Sequence, residues 1–213
     1  MFLLFVNDSP KCLTCTVCNL FADDTAIYCS GNYVSDVSKT LQTDVTNVID
    51  WFQNNMLTVN INQSCTLTVG TARRLANYDT DLNITIGDTN LLNVSNMKYL
   101  GVTIDNNLSW NDHISNICKN ISPKIELLRK IRYKLPKQQL CTKYNYIIQP
   151  HFDYCISVWG YTNLKNLTLL QRLQNRAARI ITGISDWDHS ATELVKNLGW
   201  QNTEHYNITL HHC

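Results

Sequence analysis

Thr16-Val17-Cys18-Asn19-Leu20-Phe21-Ala22-Asp23-Asp24-Thr25-Ala26-Ile27-Tyr28-Cys29-Ser30 is the stretch on which the reading of this chain turns. β-prone residues flank Ala22-Asp23-Asp24 on both sides, and paired aspartates favour a tight turn. The segment therefore reads as two short strands joined at the acidic pair. By composition alone this is a surface hairpin.

Outward from the hairpin the periodicity changes. Val34, Val37, Leu41, Val45, Val48 and Phe52 recur at steps of three and four, which predicts an amphipathic helix of about 20 residues starting near Ser35-Asp36. Leu57, Val59 and Ile61 alternate as a strand, and Leu82, Ile84 and Ile86 alternate up to a hairpin turn at Gly87-Asp88. Tyr99, Leu100, Val102 and Ile104 form another β-rich run. Strand, strand, helix and further strands predict an α+β layer with the helix packed on an antiparallel sheet. Beyond Trp110 helical steps return. One helix follows Ile114, Cys118, Ile121, Ile125, Leu128 and Ile131, with Pro123 expected to break or kink it. A second spans 137–149 and a third 163–182, the latter with Leu167, Leu170, Leu173, Ala177 and Ile180 on one stripe. Arg172, Arg176 and Arg179 share a different face of that third helix.

Of the 213 residues 44% are hydrophobic and 16% charged, enough for packed cores. The net charge of +1 hides an asymmetry. Residues 1–110 carry 5 basic and 10 acidic side chains, whereas residues 111–180 carry 12 basic and 3 acidic, a net of +9. The basic segment either holds a polyanion or is a solvated helical face. No apolar run reaches the roughly 18–20 residues of a membrane helix, and the opening Met1–Val6 run lacks a basic flank and a cleavage site. An intracellular protein, nuclear or cytoplasmic and not secreted, is expected. Cys12, Cys15 and Cys18 lack a nearby fourth ligand and a following Pro, so they read as reduced thiols in place of an iron–sulfur or zinc site. The terminal His211-His212-Cys213 reads as a frayed end.

Phe21-Ala22-Asp23-Asp24-Thr25 resembles the Y/F-A-D-D-T turn of the reverse transcriptase palm, and the neighbouring segments resemble the same family in order. Phe2–Pro10 is similar to the helix end that precedes the catalytic hairpin in non-LTR (LINE-type, jockey-like) retrotransposon reverse transcriptases. Trp51 with Asn55-Met56-Leu57-Thr58-Val59-Asn60 resembles the family's W…N-x-L-x-x-N stretch. Lys98-Tyr99-Leu100-Gly101-Val102-Thr103-Ile104-Asp105, Leu108, Trp110, His113 and Ile114 resemble its K-Y-L-G-V-x-I-D…L-x-W…H-I block. Pro150–Gly160 and Leu173–Gly183 resemble the part that follows the palm.

The resemblance implies RNA-directed DNA polymerisation by two-metal nucleotidyl transfer, with Mg²⁺ (or Mn²⁺), an RNA template and a DNA primer as partners, and dNTPs where a complete palm is supplied. It assigns Asp23 to direct metal ligation and Asp24 to a supporting role. Leu100 and Gly101 fall at the primer-grip hairpin. Arg172, Arg176 and Arg179 are candidates for phosphate contacts. It also implies an organisation: a partial palm at 1–110, a basic helical thumb-like region at 111–185 and a tail at 186–213. Three departures are expected to matter. The family's other metal-binding Asp and the fingers lie upstream of the segments matched here, and Gln63 stands where a Lys is usual. A truncated copy, inactive alone, is the expectation. The alternative is a non-catalytic nucleic-acid-binding remnant or a non-functional transposon relic.

Overall fold

A computed structural model describes residues 6–77, 82–184 and 190–201. The Phe2–Phe5 part of the opening run and His211-His212-Cys213 lie outside the described residues. The chain divides into two compact units, residues 1–97 and 98–213. Both mix helix and strand, so the fold is α+β.

In the first unit, β1 (Val17–Phe21) and β2 (Asp24–Tyr28) form an antiparallel hairpin with Phe21 opposite Asp24 and Val17 opposite Tyr28. Helix α1 (Val34–Asn54) follows, one residue earlier than Ser35-Asp36 suggests, and no side chain caps it. Its apolar stripe closes a small core: Val45, Leu82 and Ile84 are buried, and Ile27, Val34, Val37 and Leu41 pack around them.

The sheet is more broken than the alternation predicts. The described strands form four two-stranded pairs, and one of them, β3 (Cys65–Thr66) with β6 (Leu92–Asn93), is parallel. A strand at Leu57, Val59 and Ile61 does not form. The turn after α1 takes the Leu57 N–H to the Phe52 carbonyl at 2.8 Å, with Met56 at a φ of 58°. Residues 57–60 join no ladder, and Ile61–Gln63 coil into a 3₁₀ turn. The Leu82–Ile86 run shortens to β4 (Thr85–Ile86), paired with β5 (Thr89–Asn90) across the predicted Gly87-Asp88 turn. Here a side chain replaces a strand neighbour. The Gln42 amide on α1 accepts from the Thr85 N–H at 2.7 Å and donates to the Thr85 carbonyl at 3.0 Å. The short helix α2 (Ala72–Asn77) completes the described part of this unit.

The second unit is helical and better filled. The hairpin β7 (Asn96–Tyr99) and β8 (Val102–Asp105) leads to α3 (Asn111–Ile131), α4 (Lys137–Ile147) and the short α5 (Gln149–Asp153) and α6 (Ile156–Trp159). Helix α7 (Leu164–Thr182) packs along α3, and α8 (Ala191–Asn197) covers α7. Of the two outcomes expected at Pro123, a break does not occur: α3 runs through it. Ile114, Ile117, Ile121, Ile125 and Leu128 are all buried on one stripe that continues across it. Burying five large apolar side chains at about 1.5–3 kcal/mol each outweighs the roughly 3 kcal/mol that an interior proline costs. Both ends of α7 are capped. Asn163 accepts the Asn166 N–H at 2.9 Å, and Gly183, at a φ of 75°, returns its N–H to the Arg179 carbonyl. Tyr144, Phe152 and Trp159 fill the centre of this core, and Trp200 stacks on Tyr144 at 3.7 Å.

Candidate active site and nucleic-acid interface

Asp23 and Asp24 sit at the tip of the β1–β2 hairpin, both exposed. Ala22 and Asp23 form the two-residue turn, and Ala22 takes a φ of 53°. Two-residue hairpin turns require the left-handed region, which costs a residue with a Cβ about 1–2 kcal/mol. The strain presents two carboxylates on adjacent residues to solvent. Among the described residues, no three His, Cys, Asp or Glu side chains gather as a metal-ion set. Cys12, Cys15 and Cys18 form no such set either.

The hairpin is anchored from α1 by a residue the sequence reading passed over. Asp44 is fully buried. One of its oxygens accepts the Thr14 N–H and hydroxyl at 2.9 and 2.7 Å, and the other accepts the N–H groups of Cys15 and Thr16 at 2.9 and 2.8 Å. Burial alone would raise the pKa of this acid. The bonds from Cys15 and Thr14 outweigh burial and hold it well below the usual carboxylate range. The backbone entering β1 is thereby fixed to the helix. The available signal was its register: Asp44 lies three residues after Leu41 and four before Val48, on the buried stripe.

Leu100 and Gly101 form the β7–β8 turn, with φ values of 45° and 83°. The Tyr154 hydroxyl donates to the Leu100 carbonyl at 2.6 Å. A Cβ on Gly101 would meet the Tyr154 ring at 3.3 Å, so the close approach that glycine permits here is taken by tyrosine. Gly101 also lines a cavity of about 440 Å³ with Lys98, Lys119, His113 and His151. The His113 Nδ1 accepts the Thr103 N–H at 3.3 Å, its ring meets Trp159 edge-on, and burial keeps its pKa low. The His151 Nε2 touches the Lys124 ammonium; burial and then that cation depress its pKa.

The three arginines of α7 are not alone. Arg172, Arg176 and Arg179 share an open cavity of about 330 Å³ with Arg129 and Arg132 of α3. Among the described residues one acid pairs with them. Glu126 accepts from Arg129 at 2.7 Å through one oxygen and from Arg176 through the other. Both arginines are about half exposed or more, so each pair holds by about 1 kcal/mol or less.

With this geometry in view, the likeness to known proteins can be placed. Over 182 residues the chain is 29% identical to the probable RNA-directed DNA polymerase from transposon BS of Drosophila melanogaster, covering 82% of this chain. It is 25% identical over 181 residues to the corresponding protein of transposon X-element from the same species, covering 84% of this chain. The chain is a homologue of the RNA-directed DNA polymerases of non-LTR retrotransposons. The polymerase of mobile element jockey from Drosophila funebris matches at 24% identity over 166 residues. The chain spans about a fifth of the length of these retrotransposon polymerases. No protein-family model matches it, and no solved structure matches it significantly.

Several blocks that resemble the retrotransposon polymerases have internal structural duties. Asp105 accepts the N–H groups of Asn107, Ser109 and Trp110 at 3.1, 3.0 and 2.8 Å, and the Ser109 hydroxyl as well. Burial opposes the charge, but the bonds from Ser109 and Trp110 prevail and lower its pKa. This knot places buried Trp110 ahead of α3. The Asn55 side chain likewise donates to the Trp51 carbonyl at 2.8 Å and closes α1. Gln63 is exposed on its 3₁₀ turn. The acidic hairpin belongs to the first unit, while Leu100, Gly101 and the arginines belong to the second, where Gly101 and the arginines line two different cavities.

Proposed function

We propose that this chain is the portion of a non-LTR retrotransposon reverse transcriptase that carries one metal-binding hairpin of the palm, at residues 1–110, and a basic thumb-like region, at 111–185. The observation that supports this most is the exposed Asp23–Asp24 pair on a strained two-residue turn, in sequence order with the family's other blocks. Two adjacent carboxylates suit Mg²⁺, which keeps several waters and takes one or two protein oxygens beside substrate phosphates. Asp23 is the direct ligand in this reading, and Asp24, paired opposite Phe21, supports it. Bound there, the metals would activate a primer hydroxyl and stabilise the leaving pyrophosphate. Ala22 holds the turn, and Asp44 fixes the strand that leads to it. Leu100 and Gly101 meet the primer end, and the arginine face meets template–primer phosphates.

Alone the polypeptide should not extend a primed RNA template, since a fifth of a polymerase supplies only part of the site. The test is a chimera in which this chain replaces the matching stretch of the jockey polymerase. Mg²⁺-dependent extension that Asp23→Asn abolishes is expected. A chimera that extends equally well with Asp23→Asn would refute the assignment.

A further inference from the structure

Two of the arginines that line the open cavity are held by one acid of the same helix pair, Glu126. Five guanidinium groups from two packed helices, Arg129 and Arg132 on α3 and Arg172, Arg176 and Arg179 on α7, face one opening. Glu126 is the only acid in salt bridges with them among the described residues, and each of its oxygens holds one arginine. A guanidinium fork meets carboxylate and phosphate in the same planar geometry. A carboxylate so placed occupies the position that a phosphate oxygen would take.

We propose that Glu126 is a built-in competitor for the nucleic-acid backbone, displaced when a phosphodiester enters the cleft between α3 and α7. The proposal rests on the reading that this arginine face binds nucleic acid, and adds both its second wall and its regulator. The displacement is easy because the acid's partners are largely exposed and such pairs hold weakly. Glu126 itself is only about one third exposed, so its charge stays close to any incoming phosphate. Even at the dielectric of bulk water, two like charges about 5 Å apart repel enough to change affinity about fourfold. The cleft therefore binds less tightly than five arginines could, which keeps sequence-independent binding reversible along a strand. The occupant is a polyanion backbone: residues 111–180 carry a net charge of +9, and the cavity is open at the surface instead of enclosing a small ligand.

The test measures binding of the full chain to a short fluorescein-labelled DNA duplex of arbitrary sequence, by anisotropy, between about 50 and 200 mM salt. Glu126→Gln should tighten binding about 3- to 10-fold at low salt. It should also steepen the log–log salt slope by up to about 0.9, the worth of one more neutralised phosphate. Glu126→Ala, checked for an unchanged melting temperature, should do the same. Arg172, Arg176 and Arg179 changed together to Gln should erase the gain. If the unaltered chain binds but Glu126→Gln is equal or weaker, Glu126 organises the arginines and the competitor role is wrong. If nothing binds at low salt, the nucleic-acid reading of the arginine face falls and takes this inference with it. Release of the duplex by inorganic phosphate at matched ionic strength would show a single-anion pocket and overturn the backbone assignment.

Discussion

Asp44→Asn isolates the anchor of the acidic hairpin. The substitution keeps the shape of the side chain and one acceptor oxygen, which can still serve Thr14. The other oxygen becomes an amide that points its own hydrogens at the N–H groups of Cys15 and Thr16, which now donate at 2.9 and 2.8 Å. Two charge-assisted bonds are lost, each worth about 1.5–3 kcal/mol, and two donors are left facing donors. A loss of at least 3 kcal/mol follows. For a unit of this size that lowers the melting temperature by more than about 10 °C. The core around α1 has few fully buried apolar residues, so little else compensates.

The same variant has a pH signature. The folded pKa of Asp44 lies below its unfolded value of about 3.9, so the unfolded chain takes the proton first. The stabilisation is therefore complete above about pH 5 and is lost as the pH falls through the folded value. The gap in melting temperature between the native chain and Asp44→Asn should be full at neutral pH and shrink in acid. Hydrogen exchange at the amides of Thr14, Cys15 and Thr16 should accelerate in the variant at neutral pH. A variant melting within about 2 °C of the native chain, or a gap unchanged at about pH 3, would refute the anchoring argument.

Two further outcomes concern the second unit. Pro123 is exposed in mid-α3, so Pro123→Ala should restore one backbone hydrogen bond and raise stability by about 1–2 kcal/mol, after allowing for the freer unfolded chain; a lower melting temperature would show that the ring packs usefully. Tyr154→Phe removes the 2.6 Å bond to the Leu100 carbonyl, and should cost about 1 kcal/mol and speed amide exchange across residues 98–105. Unchanged exchange would mean that the turn holds itself.

What the sequence disclosed and what it hid differ in physical kind. Local chemistry was legible: the acidic turn between β1 and β2, Gly87-Asp88 between β4 and β5, and the apolar stripes of α1, α3 and α7 are each written within a few turns of chain. Alternation at Leu57, Val59 and Ile61 misled because it records which side chains turn inward, and says nothing of whether a partner strand accepts the backbone. Leu57 and Val59 are in fact half-buried beside exposed neighbours, in a segment whose first N–H the helix end has already taken. The grips of Gln42 on Thr85 and of Asp44 on residues 14–16 join positions some 30 or more apart, so no window along the chain could hold both halves. The arginine cleft was half visible. Arg172, Arg176 and Arg179 share one helix, but Arg129, Arg132 and Glu126 reach them only through the packing of α3 on α7.

The family-like blocks can now be divided by what the fold requires of them. Asn55 closes α1, Asp105 knots the turn before Trp110, and Tyr154 clasps Leu100. Each spends its polar atoms on this chain's own backbone, so each has a structural reason to be where it is. Asp23 and Asp24 have none of that kind. Among the described residues no hydrogen bond or ion pair uses either side chain, both are exposed, and the turn that displays them carries strain that glycine at position 22 would relieve. A fold selected only for stability would not keep two unneutralised neighbouring acids on a strained alanine turn, beside the exposed side chains of Phe21 and Tyr28. The arrangement costs stability and gives none back within the unit, which supports the proposal that the pair serves a ligand and not the scaffold.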